Sequence, residues 1–343
     1  MPEPTLDSLD YTLLRYAENR PELAFRAQSV EEARLWSAQA RAKLLELLGG
    51  LPAERVALDP VLGEPVQRPG YTRREVTFST RPGLRAFAYL LIPDNHQERS
   101  PAVLCLPGHG RGADDIVGID EDGHDRDHLD GYQHDFAVQC VQKGYVALAL
   151  EQLGFGHRRD PAAREKGPSS SSCQPAAGAA LLLGESMAAW RTWDAMRALD
   201  YLETRPEVDP KRLAVMGISG GGTITFTTAA LDDRVKAAVV SGAFCTSRDS
   251  ILSRSHGIDN YIPGILRWFE TADLTGLIAP RYLFVEAGTQ DNIFPKPGVE
   301  EALEGARKVY ETLEAPDHLD NAYFDAGHPF DGVKAFRALE KWL

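Results

Sequence analysis

The spacing of apolar residues changes near residue 70. Upstream, "SVEEARLWSAQARAKLLELLGG" (29–50) sets Ser29 three residues before Glu32, then places apolar residues at Leu35, Ala38, Leu44, Leu45 and Leu48. Ser followed three residues later by Glu marks a helix start, and Gly49-Gly50 marks its stop. Residues 6–50 therefore read as helical, and residues 1–60 as a helical extension packed on a main domain over 61–343. Downstream, "REVTFST" and "LRAFAYLLIP" alternate or run apolar at strand length around "RPG", which predicts a hairpin. "PAVLCLPG" (101–108), "YVALAL" (145–150), "RLAVMG" (212–217), "VKAAVVSG" (235–242), "RYLFVEAG" (281–288) and "NAYFDAG" (321–327) read as buried strands.

Helical patterns fill most gaps between them: "GYQHDFAVQCVQKG", "SMAAWRTWDAMRALDYLETRP", the segment after Ser219, "GVEEALEGARKVYETL" and "GVKAFRALEKWL". Alternation of this kind predicts an α/β fold with a mostly parallel central sheet and helices on both faces. Residues 151–186, with "GPSSSSCQP", and 243–276 read as irregular insertions. In such sheets ligands lie beyond the C-terminal strand ends, so reactive groups belong just after strands.

"GISGG" (217–221) meets that requirement. A serine hydroxyl is a weak nucleophile and must protrude from a sharp strand-to-helix turn to meet a base. The flanking glycines remove side chains that would crowd the turn, and the helix start brings backbone N–H groups and the positive dipole end beside Ser219. By itself the pattern also fits a turn with Ser219 as a cap. A second candidate, Ser186 in "GESMA", runs into an uninterrupted helical pattern and reads as a cap. His328 follows the last strand and Asp291 the one before it, which gives the chain order Ser, Asp, His. Asp325 sits at a strand end and reads as turn chemistry. An oxyanion needs two backbone donors: Gly220, and one from "GHGRG" (108–112), where Arg111 is the expected donor and His109 a structural residue.

Composition removes other classes. The chain has 343 residues, 43% of them hydrophobic, and a formal net charge of −13. An acidic chain without basic runs is a poor partner for nucleic acid or anionic membrane. No apolar run is long enough to span a bilayer, and the acidic start has no apolar signal core, so a cytoplasmic protein is expected. Cys105, Cys140, Cys173 and Cys245 are far apart, read as reduced core thiols, and offer no zinc site. No cofactor or metal is called for. "DEDGHDRDHLDGYQHD" (120–135), with His124 and His128 four apart, reads as a solvated loop.

Taken together, "LPGHGRG", "GYVALALEQLGFGHR", "RALDYLETRPEVDPKRLAVMGISGGG", "LDDRVKAAVVSG", "GTQDNIFP" and "GHPF" resemble the α/β-hydrolase superfamily, within it the dienelactone hydrolase and acetyl xylan esterase group. The resemblance spans about residues 70–343. It implies that Ser219, Asp291 and His328 are nucleophile, acid and base, with Gly220 and Arg111 as oxyanion donors. Dienelactone hydrolases carry a cysteine nucleophile where this chain has Ser219, which favours ester substrates. The expected activity is a serine carboxylesterase on acetyl or short acyl esters of a carbohydrate-type alcohol. An amidase or peptidase, or a non-catalytic binding protein on the same fold, is the alternative. Tyr261, Ile262 and Trp268 are candidates for the acyl wall or for ordinary core packing. The sequence leaves homo-oligomer formation open.

Overall fold

Strand-length apolar runs assemble into one sheet in the computed structural model, which describes residues 5–95, 98–129 and 131–343. The strands are β1 (Val61–Leu62), β2 (Val66–Arg68), β3 (Tyr71–Arg81), β4 (Leu84–Pro93), β5 (Ser100–Leu106), β6 (Val146–Leu150), β7 (Val208–Ile218), β8 (Val235–Ser241), β9 (Tyr282–Gly288) and β10 (Leu319–Phe324). Their order is β1-β3-β4-β6-β5-β7-β8-β9-β10, with β2 also on β3. β3 and β4 form the expected antiparallel hairpin, and β4 joins β6 antiparallel. From β6 through β5, β7, β8 and β9 to β10 every neighbouring pair is parallel.

The helices are α1 (Ser8–Glu18), α2 (Val30–Leu47), α3 (Ala113–Ile116), α4 (Phe136–Gln142), α5 (Pro161–Glu165), α6 (Cys173–Leu182), α7 (Met187–Glu203), α8 (Gly220–Leu231), α9 (Lys296–Thr312) and α10 (Val333–Trp342). Side chains alternate across each central strand, so each strand feeds two cores. In β5, Ala102, Leu104 and Leu106 join the core under α2, α7, α8 and α9. Val103 and Cys105 join the core under α3, α4 and α10.

Three sequence expectations change. In α2 the buried stripe is Ala33, Trp36, Ala40 and Leu44, while Leu35 is exposed. Trp36 decides the rotation: its ring packs edge-on to Phe25 and Phe269, and its N–H donates to Leu23 O at 3.0 Å. α4 begins only at Phe136, because His134 and Asp135 both have positive φ. Within 151–186, "CQPAAGAALL" forms α6 and buries Cys173, Ala177 and Ala180, so the Ala-rich run is helix rather than flexible loop. The other insertion, 243–276, holds three 3₁₀ turns at Ile258–Asn260, Ile265–Arg267 and Asp273–Leu277. No helix among the described residues is long and apolar enough to cross a membrane.

Candidate active site

β7 ends at Ile218 and α8 begins at Gly220, which leaves Ser219 alone on the turn at φ 55° and ψ −124°. That conformation is costly for a residue with a Cβ and persists only where the surroundings impose it. The neighbours do impose it. A Cβ at Gly217 would lie 2.5 Å from Gly221 O, and one at Gly221 only 2.0 Å from Leu106 O. The Ser219 side chain makes no capping bond to α8. Ser186, by contrast, caps α7 by accepting from Ala189 N at 3.1 Å and is fully buried. The two serines in similar local sequence thus have different fates.

Asp291 and His328 come from the loops after β9 and β10. His328 Nδ1 lies 2.6 Å from Asp291 Oδ2. The other Asp291 oxygen accepts from Ile293 N at 2.8 Å and Phe294 N at 3.1 Å, so the carboxylate has a fixed orientation. The His328 ring stacks with Tyr132 and Phe294, at centroid distances of 5.7 and 5.8 Å. Its Nε2 is buried and has no hydrogen-bond partner among the described residues. Ser219, Gly220, His109, Tyr132, Asn260, Phe294 and His328 line one cavity of about 300 Å³. Asp325 is elsewhere engaged, accepting from Gln290 Nε2 at 2.8 Å.

The loop after β5 departs from expectation. The Arg111 N–H donates to Asp115 Oδ2 at 3.1 Å, and its guanidinium also reaches Asp115. Arg111 does not line the Ser219 cavity; it faces a separate one with Asp114 and His157. Gly108, two residues before Gly110, is the residue pressed to the serine: a Cβ there would sit 3.1 Å from Ser219 Cβ. The Gly108 N–H is taken by Gln133 Oε1 at 2.7 Å, and the His109 carbonyl accepts from Tyr132 Oη at 2.7 Å. His109 is thereby the loop residue beside Ser219. The residue beside the serine thus lies two positions before the expected one: the loop turns toward the serine earlier, where Tyr132 and Gln133 pin it.

His109 belongs to a buried charge network. Its Nε2 lies 3.0 Å from Asp259 Oδ2, and Arg191 Nη1 lies 2.5 Å from the same oxygen. Arg191 also donates to Leu153 O at 2.8 Å and to Cys173 Sγ at 3.0 Å. His109, Cys173 and Asp259 have metal-ligand spacing. Arg191 bonds both Cys173 and Asp259, so a guanidinium already supplies the positive charge there. Burial opposes charge on His109, but its hydrogen bonds to Asp259 and Cys173 and the Asp259 charge raise its pKa to about 9. A histidine so raised adds stability below its unfolded pKa of about 6.5, and that stability is lost as pH climbs through the folded value. The thermal midpoint of the wild type is expected to fall more steeply between pH 6.5 and 9 than that of His109→Gln. Equal slopes would contradict the pairing.

Within 120–135, Asp130 lies outside the described residues. Asp120 Oδ1 accepts from the N–H of Asp122 at 3.0 Å and of His124 at 2.7 Å, while His128 Nδ1 lies 2.9 Å from Asp127. Among the described residues, His124 and His128 share no group with metal-ligand spacing. Asp120, Asp122 and His124 do cluster, with Asp122 and His124 exposed. Of the three proposed acyl-wall residues, Tyr261 and Ile262 line a second cavity next to the serine site. Trp268 does not; Lys43 Nζ sits 4.0 Å from its ring centroid. Sequence reading missed Tyr132, Asp259, Arg191 and Glu151. Glu151 is buried under the β5 loop, accepts from Ala113 N at 3.1 Å, and is pushed up to about 7 by burial. Its only sequence signal is its position directly after β6.

A family model described as "Abhydrolase family" matches residues 11–328. The chain belongs to that family, and its sheet is that of the α/β-hydrolase fold. "Putative hydrolase YtaP" of Bacillus subtilis (strain 168) is 29% identical over 320 residues, which are 89% of this chain and 99% of that protein. Among solved structures, a "putative acetyl xylan esterase" from Bacteroides fragilis NCTC 9343 superposes with TM-score 0.78 at 24% identity, over 94% of this chain and 83% of that one. The acetyl xylan esterase from Paenibacillus sp. R4 gives 0.57 at 21%, over 96% and 99%. A CE15 glucuronoyl esterase from Teredinibacter turnerae T7901 gives 0.64 at 18%, over 97% and 90%. These structural likenesses carry the fold.

Proposed function

We propose that the protein is a serine hydrolase of carboxylic esters, acting on acetyl or other short acyl esters of carbohydrate-type alcohols. The observation that carries this reading is the strained Ser219 in one cavity with a His328 that is already oriented by Asp291. Ser219 Oγ attacks the ester carbonyl while His328 Nε2 takes its proton. Asp291 holds the imidazole tautomer and stabilises its charged form. The tetrahedral oxyanion receives the N–H of Gly220, one of the unpaired donors at the start of α8, and the N–H of His109 in place of Arg111. His328 then protonates the departing alcohol, and water repeats the sequence on the acyl-enzyme.

The ester and carbohydrate parts of the proposal draw support from the names of the structural neighbours, a "putative acetyl xylan esterase", an acetyl xylan esterase and a CE15 glucuronoyl esterase. The test is a panel of acetylated sugars and 4-nitrophenyl acetate against aminoacyl 4-nitroanilides. Ester turnover with no anilide cleavage is expected. Faster anilide cleavage would make the protein an amidase, and no turnover of either would favour a binding role.

A further inference from the structure

A second cavity, of about 410 Å³, adjoins the serine cavity, and Asn260 and Phe294 line both. It runs along α8. Thr223 and Thr227, one and two turns beyond Ser219, face it together with Phe226. Both threonine hydroxyls turn back onto the helix: Thr223 Oγ1 donates to Ser219 O at 3.4 Å and Thr227 Oγ1 to Thr223 O at 2.9 Å. The hydroxyls are therefore occupied on this face. Ile251, Ile262, Ile265 and Phe269 give the rest of the lining a large apolar share, while Arg267 and Glu270 add charged groups to it.

His328 lines only the serine cavity. The leaving alcohol must reach His328 Nε2 for its proton, so the alcohol occupies the His328 side and the acyl substituent the other. Phe294, stacked on His328, stands between the two. The volume is in the range of about 300–1,000 Å³ common to small-molecule sites. A methylene takes roughly the volume of a water, so a six-carbon chain needs about 180 Å³, far less than is available. An acetyl methyl would leave most of the space unused. α1 lines the cavity through Tyr16, and Asn19, the residue that ends the helix, lines it as well. The helix buries no residue of its own and is tied down by Tyr16 Oη to Glu270 at 2.7 Å and Asn19 Nδ2 to Leu266 O at 2.5 Å.

We propose that this cavity is an acyl subsite, and that the preferred acyl group is a linear apolar chain of about four to eight carbons, roofed by α1. The inference rests on the Ser219 acyl-enzyme reading and sharpens its acyl side.

The experiment measures kcat/KM of the full chain for 4-nitrophenyl acetate, butyrate, hexanoate and octanoate, and for ethyl and hexyl acetate. From acetate to hexanoate kcat/KM is expected to rise at least about tenfold, since each buried methylene favours binding. The two alkyl acetates are expected to differ little. Ile265→Trp, which fills the cavity, is expected to lower the hexanoate-to-acetate ratio at least about tenfold; Ile251→Trp, on the same wall, gives a second reading if the first variant folds poorly. A flat or falling acyl series in the wild type would overturn the subsite. So would a gain confined to hexyl acetate, which would make the cavity an alcohol site. Failure to hydrolyse any ester, acetate included, would instead count against the esterase reading.

Discussion

Ser219→Ala is expected to lower kcat for 4-nitrophenyl acetate by about 10⁴- to 10⁶-fold, the range seen when a serine nucleophile is removed. The size follows from what the side chain does in this account. Without Oγ there is no acyl-enzyme, and the remaining groups act only on bound water. The variant is expected to keep its fold. Alanine has fewer atoms than serine, the hydroxyl caps nothing in α8, and the positive φ is imposed by neighbours that do not change. The thermal midpoint should therefore move little while kcat collapses. Stopped-flow and steady-state release of 4-nitrophenolate, with circular dichroism on the same preparation, would read both quantities. Retention of near wild-type kcat would remove Ser219 from the chemistry. A loss of fold along with activity would show instead that the serine is structural.

The second large effect is on stability. Gly221→Ala is expected to destabilise the fold by at least about 3 kcal/mol, the upper part of the range for overpacking. Its Cβ would lie 2.0 Å from Leu106 O and 2.7 Å from Pro107 O. Both atoms are backbone, at the end of β5 and the entry to the Gly108–His109 loop, so no side chain can swing away. The turn that presents Ser219 and the loop beside it would have to separate. Gly178→Ala is the control: a Cβ there meets nothing within 4 Å, and the residue lies inside α6. Glycine in a helix interior is less favourable than alanine by about 0.5–1 kcal/mol, so this variant should be neutral or slightly more stable. Denaturant midpoints would separate the two. A Gly221→Ala protein as stable as Gly178→Ala would contradict the packing described around the elbow.

Much of this architecture is legible in the sequence because it rests on local signals. Strand-length apolar runs in β5 to β10, glycines at helix stops and a serine between glycines all reflect backbone requirements within a few residues. Post-strand positions also place Asp291 and His328 on loops at the same sheet end, and the structure brings them into hydrogen-bond contact. What the sequence hides depends on distant partners. Arg111 looks like a donor in "GHGRG" until Asp115 takes its amide and Tyr132 and Gln133 hold the loop at Gly108 and His109 instead. The network of His109, Asp259 and Arg191 spans up to 150 residues of chain, and no local pattern announces it. The stripe of α2 follows Trp36 and its aromatic neighbours rather than the spacing of leucines. For Trp268 the sequence leaves acyl wall and core packing open; the ring packs against the core, with Lys43 over it, and does not line the cavity.

The central claim is that Ser219 is the nucleophile activated by His328. The most direct measurement is the site of covalent attachment of a fluorophosphonate, read by mass spectrometry of peptides from the wild type and from His328→Ala. One adduct is expected, on the peptide carrying Ser219, forming quickly in the wild type and far more slowly in the variant. An adduct on another residue, or labelling of Ser219 at the same rate in both proteins, would contradict that claim.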